Sequence, residues 1–314
     1  MKKKILLGVV SVLIVWSSSF SQPVSVPTGN PADFKVKTCL HSIGYAGLWG
    51  QDKLTVDEFL LKAKELGYDG VILVAKRPHV SLLDYDKEAR AKLKKRIKDL
   101  GLTLVGLAGY NDFTAGMEYN PGGVPQAELQ GIYIGMLAEL ANDLGTKMVR
   151  IFTGNKREGV DYDKEYATIV EGIKIGAKEA QKYGVTLFVQ NHHNIAFNYN
   201  DMYNMLKDIN LPNVKAGWDP RPGLSPEETK QSVLKMKPFI VNTIVDSRAI
   251  SQSASTKVEP IPTDYKTFYN TIKEIGYQGY LVFEMCGPIK GGGSIKNLDA
   301  KSSEFLKYIE NQFK

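Results

Sequence analysis

Short, almost wholly apolar runs recur along the chain at about residues 36–41, 70–75, 102–107, 147–152, 185–190, 214–219, 239–245 and 279–285. Unbroken apolar character over a strand's length is what a strand buried on both faces needs, as in a parallel sheet. Between the runs lie stretches of helical period: TVDEFLLKAKEL, KEARAKLKKRIKDL, AELQGIYIGMLAELANDL, YATIVEGIKIGAKEAQKY, NDMYNMLKDI, SPEETKQSVLKM, TDYKTFYNTIKEI and NLDAKSSEFLKYIENQ. Apolar residues at that spacing form one stripe along a helix, and the polar remainder faces water. Glycine closes several of these stretches just before the next apolar run, in LGYDG, LGLT, LGTK, YGVT and IGYQG. There it supplies a left-handed C-terminal cap. LGYDGVILV and IGYQGYLVF read as two copies of one unit. Eight strand–helix units in about 280 residues predict an α/β fold, a single (β/α)8 TIM barrel over residues 36–314. An open doubly wound sheet is the alternative; the regular repeat and the lack of a GxGxxG fingerprint speak against it.

The first residues stand apart from this repeat. Lys2, Lys3 and Lys4 precede an apolar run from Ile5 to Trp16 that is short for a membrane span, and Ser19 and Ser21 supply the small residues a signal peptidase reads. Residues 1–21 are therefore expected to be a signal peptide, and 22–35, rich in Pro, Ser and Gly, a short leader. Export to the periplasm follows as an expectation, with no stable membrane insertion after cleavage. Loss of the three lysines lowers the formal net charge from +6 to +3. The remaining lysines are spread along amphipathic stretches, whereas a nucleic-acid surface clusters them on one face. A small-molecule partner is expected instead, and an oligomer is compatible with the sequence. Cys39 and Cys286 both lie in apolar runs and are read as buried free thiols, since two cysteines make neither a disulfide framework nor a zinc site by themselves.

In a (β/α)8 barrel the chemistry stands at the C-terminal ends of the strands. The first run ends in Cys39-Leu40-His41-Ser42 and the second in Lys76-Arg77-Pro78-His79. The third ends in Tyr110-Asn111-Asp112, and the fourth carries Arg150 and ends in Thr153-Gly154-Asn155. The fifth ends in Gln190-Asn191-His192-His193 and the sixth in Trp218-Asp219-Pro220-Arg221. The seventh carries Asn242, Thr243 and Asp246, and the eighth ends in Phe283-Glu284-Met285-Cys286. All four histidines of the chain are among these residues. A carboxylate closing an apolar strand, as Asp219 and Glu284 do, is costly to bury unless it is paired or binds a metal.

The segments AKRPH, VQNHHN, AGWDP and LVFEMCGPIKGGGS, in this order along a chain of eight units, resemble the xylose-isomerase-like TIM-barrel family, the sugar phosphate isomerases and epimerases. The resemblance runs from KTCLHSIGYAGLWGQ to NLDAKSSEFLKYI. It implies a divalent ion (manganese, cobalt or magnesium) held by Gln190, Asp219 and Glu284, with His192, Asn242 or Asp246 as the fourth ligand. Two departures stand out: Gln190 occupies the place of a usual glutamate, and PFIVNTIVDSRA lacks the usual histidine. A glutamine offers a neutral oxygen to a hard cation but cannot act as a base. The acid–base work is then assigned to Glu284 with His41, His79 or His192 as partner.

Sugar phosphates are intracellular, so an exported relative is expected to act on another sugar. The expectation is a metal-dependent lyase that cleaves 3-keto glycosides by β-elimination. The alternative is an isomerase or epimerase of a sugar or keto sugar, and a third reading is a non-catalytic sugar-binding barrel. An apurinic endonuclease would need more histidines and a basic surface. Trp49, Lys76, Arg77, Asn111, Arg150 and His193 are candidate substrate contacts; packing or solvated loop roles are the plain alternatives for Trp49, Lys76 and Arg77. Arg150 is also expected to tie to Asp219 or Glu284. The stretch GPIKGGGSIKNLD is expected to be a flexible lid or a contact to sugar hydroxyls.

Overall fold

A computed structural model describes residues 22–117, 123–192, 195–196, 198–246 and 263–313. Eight parallel strands close into a barrel in sequence order. They are β1 (Thr38–His41), β2 (Gly70–Val74), β3 (Thr103–Ala108), β4 (Met148–Ile151), β5 (Thr186–Gln190), β6 (Val214–Trp218), β7 (Ile240–Asp246) and β8 (Tyr280–Glu284). Each is followed by a helix: α1 (Val56–Leu66), α2 (Lys87–Asp99), α3 (Gln126–Leu144), α4 (Tyr162–Gln181), α5 (Tyr199–Ile209), α6 (Pro226–Met236), α7 (Tyr265–Glu274) and α8 (Ile295–Phe313). β1 pairs with β8 to close the ring, Leu40 opposite Phe283. This is the (β/α)8 barrel that the repeat of apolar runs predicts.

Local chemistry sets the boundaries. Thr55 and Glu58 form a capping box at the start of α1, and Ser225 and Glu228 repeat it at α6, with Pro226 in the first turn. Such caps satisfy backbone N–H groups that have no partner inside the helix. Gly67 closes α1 with φ 91°, a conformation a side chain would strain.

Strand alternation divides the core in two. Cys39, Ile72, Val105, Phe188, Ile244 and Val282 fill the barrel interior. Their neighbours Leu40, Val71, Leu104, Leu187, Val245 and Phe283 face outward and pack with the helices. Two residues further along the inward face come His41, Gln190 and Glu284, at the C-terminal mouth. The fold thus places polar groups there by periodicity alone.

The 22–35 stretch is packed against the opposite end of the barrel. Val24 N–H donates to Thr186 Oγ1 at 2.8 Å, Gly29 N–H to Gly276 O at 2.7 Å, and Val24 rests on the inner core. The stretch read as a signal peptide, 1–21, lies outside the described residues. Among the described residues, no helix is long and apolar enough to cross a membrane.

Candidate active site

Arg150 and Glu284 form the centre of the barrel mouth. Arg150 is 1% exposed and Glu284 2%. One guanidinium nitrogen, Arg150 Nη1, donates to Glu284 Oε1 at 3.2 Å and to Gln190 Oε1 at 3.0 Å, while Nη2 donates to Gly109 O at 3.1 Å. Gln190 Nε2 donates to Glu284 Oε2 at 3.0 Å. A guanidinium only donates and a carboxylate only accepts, so the amide must turn its oxygen to Arg150 and its nitrogen to Glu284. The three side chains close a ring of hydrogen bonds. Arg150 also lies over two aromatic faces, its Cζ 4.1 Å from the Phe152 ring centre and 4.8 Å from that of Tyr110.

His41 is fully buried and completes the cluster, its Nε2 3.4 Å from Glu284 Oε1. Ile43 N–H donates to His41 Nδ1 at 3.1 Å. That fixes Nδ1 as the acceptor, so in the neutral ring the proton is on Nε2, facing the carboxylate. The Nε2 group is not aligned for a hydrogen bond and has no partner. Burial lowers the His41 pKa to about 3, beyond what the attraction of Glu284 recovers, with Arg150 pushing the same way as burial. For Glu284 burial acts to raise the pKa but is outweighed by His41, Arg150, His192 and the Gln190 hydrogen bond, leaving it at about 2. The site therefore holds an ionised carboxylate beside a neutral imidazole, with Arg150 as the balancing charge.

The remaining candidates are dispersed. His79 is 3% exposed, with Nδ1 2.9 Å from Ser42 Oγ and Nε2 3.2 Å from Leu54 O. Both ring nitrogens are spent on loop structure, which leaves no free nitrogen for the catalytic role expected of it. Arg77 is taken by Asp84, its Nε 2.7 Å from Oδ2, on the exposed surface. Asn111 is also taken: its amide donates to Phe152 O at 2.7 Å and accepts from Phe152 N at 2.9 Å, clamping the end of β4 rather than a ligand. Lys76 does remain at the mouth, its Nζ 3.8 Å from the Tyr110 ring centre, and burial with Arg150 nearby lowers its pKa. Trp49 is 41% exposed in the loop after β1, and its backbone N–H donates to Gln51 Oε1 at 2.7 Å. His193 lies outside the described residues.

The loop expected to be a lid is pinned. Gly293 O accepts from Asp52 N at 2.8 Å, and a Cβ on Gly293 would stand 2.4 Å from Gln51 Cα. Glycine is needed there because two backbones touch.

The oxygen set expected to hold a divalent ion does not assemble. Gln190 Oε1 and Glu284 Oε1 already share the Arg150 cation. Asn242 lies toward the far end of the barrel, with Nδ2 3.9 Å from Met148 Sδ. Asp219 is held by its backbone: Asn191 Nδ2 donates to its carbonyl at 2.9 Å, and its N–H donates to Asn191 Oδ1 at 2.8 Å. Among the described residues the ligand group that does assemble is His192, Glu284 and Cys286, whose ligand atoms all lie within 4.8 Å of one another. These three fit a metal ion; Gln190 with Asp219 and Glu284 does not.

Several residues at the mouth were not singled out as site residues in the sequence. Tyr110 and Phe152 line a cleft of about 160 Å³ with Asn111, Asp112, Gly154 and Asn155. An aromatic at the end of two successive strands is the signal that marked them. Asp112 latches the loops after β3 and β4 together, accepting from Thr114 Oγ1 at 2.9 Å and from Arg157.

The family model for the xylose isomerase-like TIM barrel matches residues 60–309. Among solved structures, the chain superposes on 3-keto-D-glucoside 4-epimerase YcjR from E. coli with a TM-score of 0.67 at 14% identity, covering 88% of this chain and 100% of that one. It superposes on an L-ribulose 3-epimerase with a TM-score of 0.66 at 16% identity (88% and 94% covered). For the probable 3-DHS dehydratase AsbF from Bacillus anthracis the TM-score is 0.63 at 16% identity (86% and 99% covered). At such identities the likeness is one of fold. None of the curated protein sequences matches the chain.

Proposed function

The chain belongs to the xylose isomerase-like TIM-barrel family, and on that premise we propose that it is an isomerase or epimerase of a sugar or keto sugar. The observation that carries this is Glu284, a buried carboxylate kept ionised between Arg150 and His41 at the barrel mouth. Neighbours of the same fold named as sugar epimerases support this reading over the lyase that export alone favours. The substrate class is an unphosphorylated sugar, because the N-terminal pattern of residues 1–21 points to the periplasm.

In the proposed reaction Glu284 takes the proton from the carbon next to the sugar carbonyl. The C–H electron pair becomes the enolate, and the former carbonyl oxygen gains negative charge. Arg150 supplies fixed positive charge beside that oxygen, and the unpartnered His41 Nε2–H supplies a neutral donor. Preorganised donors of this kind stabilise charge where it develops. A carboxylate of low proton affinity is a weak base, so the driving force comes from the acidity the carbonyl confers and from the enolate's partners. Return of the proton to the neighbouring carbon gives an isomer; delivery to the opposite face gives an epimer and needs a second group, for which His192 is the candidate. A divalent ion held by His192, Glu284 and Cys286 would supply further polarisation of the carbonyl.

Elimination is the second reading, and Gln190 favours it. Gln190 stands where a second carboxylate would serve the other face, and an amide cannot accept the proton. From the same enolate, loss of a β-substituent needs one base alone. Incubation with free ketoses and with a 3-keto glucoside in D2O, followed by NMR, separates the outcomes. Deuterium at the carbon beside the carbonyl with a new isomer, lost in Glu284→Gln, is expected. Release of the aglycone would move the assignment to a lyase. Binding with neither exchange nor release would overturn catalysis in favour of a sugar-binding barrel.

A further inference from the structure

The alternation that sets Gln190 and Glu284 on one rung of the barrel mouth sets His192 and Cys286 on the next rung outward. Each is two residues further along its own strand direction. On the inner rung the cationic position is filled by Arg150, which bonds both oxygens. A divalent ion brought to that point would meet a full like charge. On the outer rung an imidazole nitrogen, a thiol sulfur and a Glu284 oxygen come within 4.8 Å of one another. Glu284 has room for such a bond: a carboxylate offers about four lone-pair positions, and Arg150 and Gln190 are the groups that donate to it. Cys286 is half-buried and outside any disulfide, and it stands immediately before Gly287, whose φ is 77°.

We propose that the outer rung is a transition-metal site made by His192, Glu284 and Cys286, and that its thiolate selects a borderline-soft ion such as zinc or cobalt over magnesium or manganese. Sulfur, nitrogen and one carboxylate oxygen are the donor types of zinc sites, whereas magnesium and manganese prefer all-oxygen surroundings. Three protein ligands leave a fourth tetrahedral position open to a substrate oxygen, as in catalytic zinc sites. Ligand atoms around such an ion stand about 3.5 Å apart, so the group has to close by roughly an ångström on binding. Thiolate and carboxylate together carry two negative charges and balance the ion, leaving Arg150 to balance whatever charge the substrate develops. The site is argued from its donor set and holds whichever reaction the enzyme performs.

Cobalt(II) added to the chelator-stripped full chain tests this directly. The expected result is one cobalt per chain with a near-ultraviolet thiolate-to-cobalt charge-transfer band. The band is expected to disappear in Cys286→Ser, to persist in Asp219→Asn, and to be displaced by stoichiometric zinc but not by excess magnesium. Cobalt binding without that band would place the ion on oxygen and nitrogen alone and overturn the proposal; so would a band that survives Cys286→Ser. A second readout needs no variant. Because Cys39 is fully buried, a thiol reagent on the native protein reports Cys286, and zinc should abolish that reaction while magnesium leaves it unchanged. Reaction that continues undiminished with bound zinc would also overturn it. Sugar isomerisation that persists after either failure would leave the proposed function standing without this site.

Discussion

Gln190 Nε2 lies 3.0 Å from Glu284 Oε2, and the two side chains share Arg150 Nη1 through their other oxygens. The amide is what allows a buried carboxylate and a buried guanidinium to satisfy each other with no further charge. Gln190→Glu would place two carboxylates at that distance, and one of them must then take up a proton or a cation. The variant is expected to melt lower than the wild type in chelator. It should also gain more from added manganese than the wild type does, since an ion bound by the folded state alone raises its stability. Thermal melts with and without manganese check this. Equal metal responses would mean that Arg150 suffices for both carboxylates.

Arg150→Met keeps much of the side-chain volume and removes the charge. It leaves Glu284 buried at 2% exposure without its cation. Breaking one partner of a buried pair costs about 3–5 kcal/mol, so urea unfolding should show a loss of that order. The double variant Arg150→Met with Glu284→Gln should recover part of it. No recovery would show that the loss comes from packing against Tyr110 and Phe152 rather than from the stranded carboxylate.

Acidification should unfold the metal-free protein in two stages of the same sign. His41 is held at about 3 against an ordinary 6.5. Between those values the unfolded chain binds a proton that the folded chain refuses, so stability rises with pH across this window and is lost as pH falls from 6.5 toward 3. His79, also lowered by burial, acts in the same direction. Glu284, held at about 2 against 4.5, contributes stability that is full above 4.5 and lost as pH falls toward 2. His41→Asn should flatten the slope of unfolding free energy between pH 6.5 and 4.5. An unchanged slope there would assign the effect to another group.

Asn191→Ala removes the clamp on the backbone of Asp219. It strands a buried N–H and a buried carbonyl that Asn191 now satisfies at 2.8 and 2.9 Å. Leaving such groups unpaired costs about 1–3 kcal/mol. The loop that carries Asp219 and Arg221 should loosen with it. Hydrogen exchange at the Asp219 amide is the readout, and protection equal to wild type would show that the strand end holds without the clamp.

Much of this molecule was legible one residue at a time. The eight strands and helices follow from apolar period and glycine caps, because burial on both faces demands continuous apolar runs and a helix needs one stripe. The inward rank of His41, Gln190 and Glu284 follows from the two-residue period of a strand. Arg150 was legible as a partner of Glu284 because a buried carboxylate needs a counter-charge. What alternation cannot supply is which side chain reaches across the barrel to which. Asn111 and His79 stand at strand ends like site residues, yet their polar atoms are consumed by Phe152, Ser42 and Leu54. Gln190 reads in sequence as a neutral oxygen for a metal, and only the closure of β4, β5 and β8 around one guanidinium turns that oxygen to Arg150. Periodicity specifies direction along one strand; hydrogen-bond partners depend on distances between strands far apart in the chain, and those exist only once the barrel has closed.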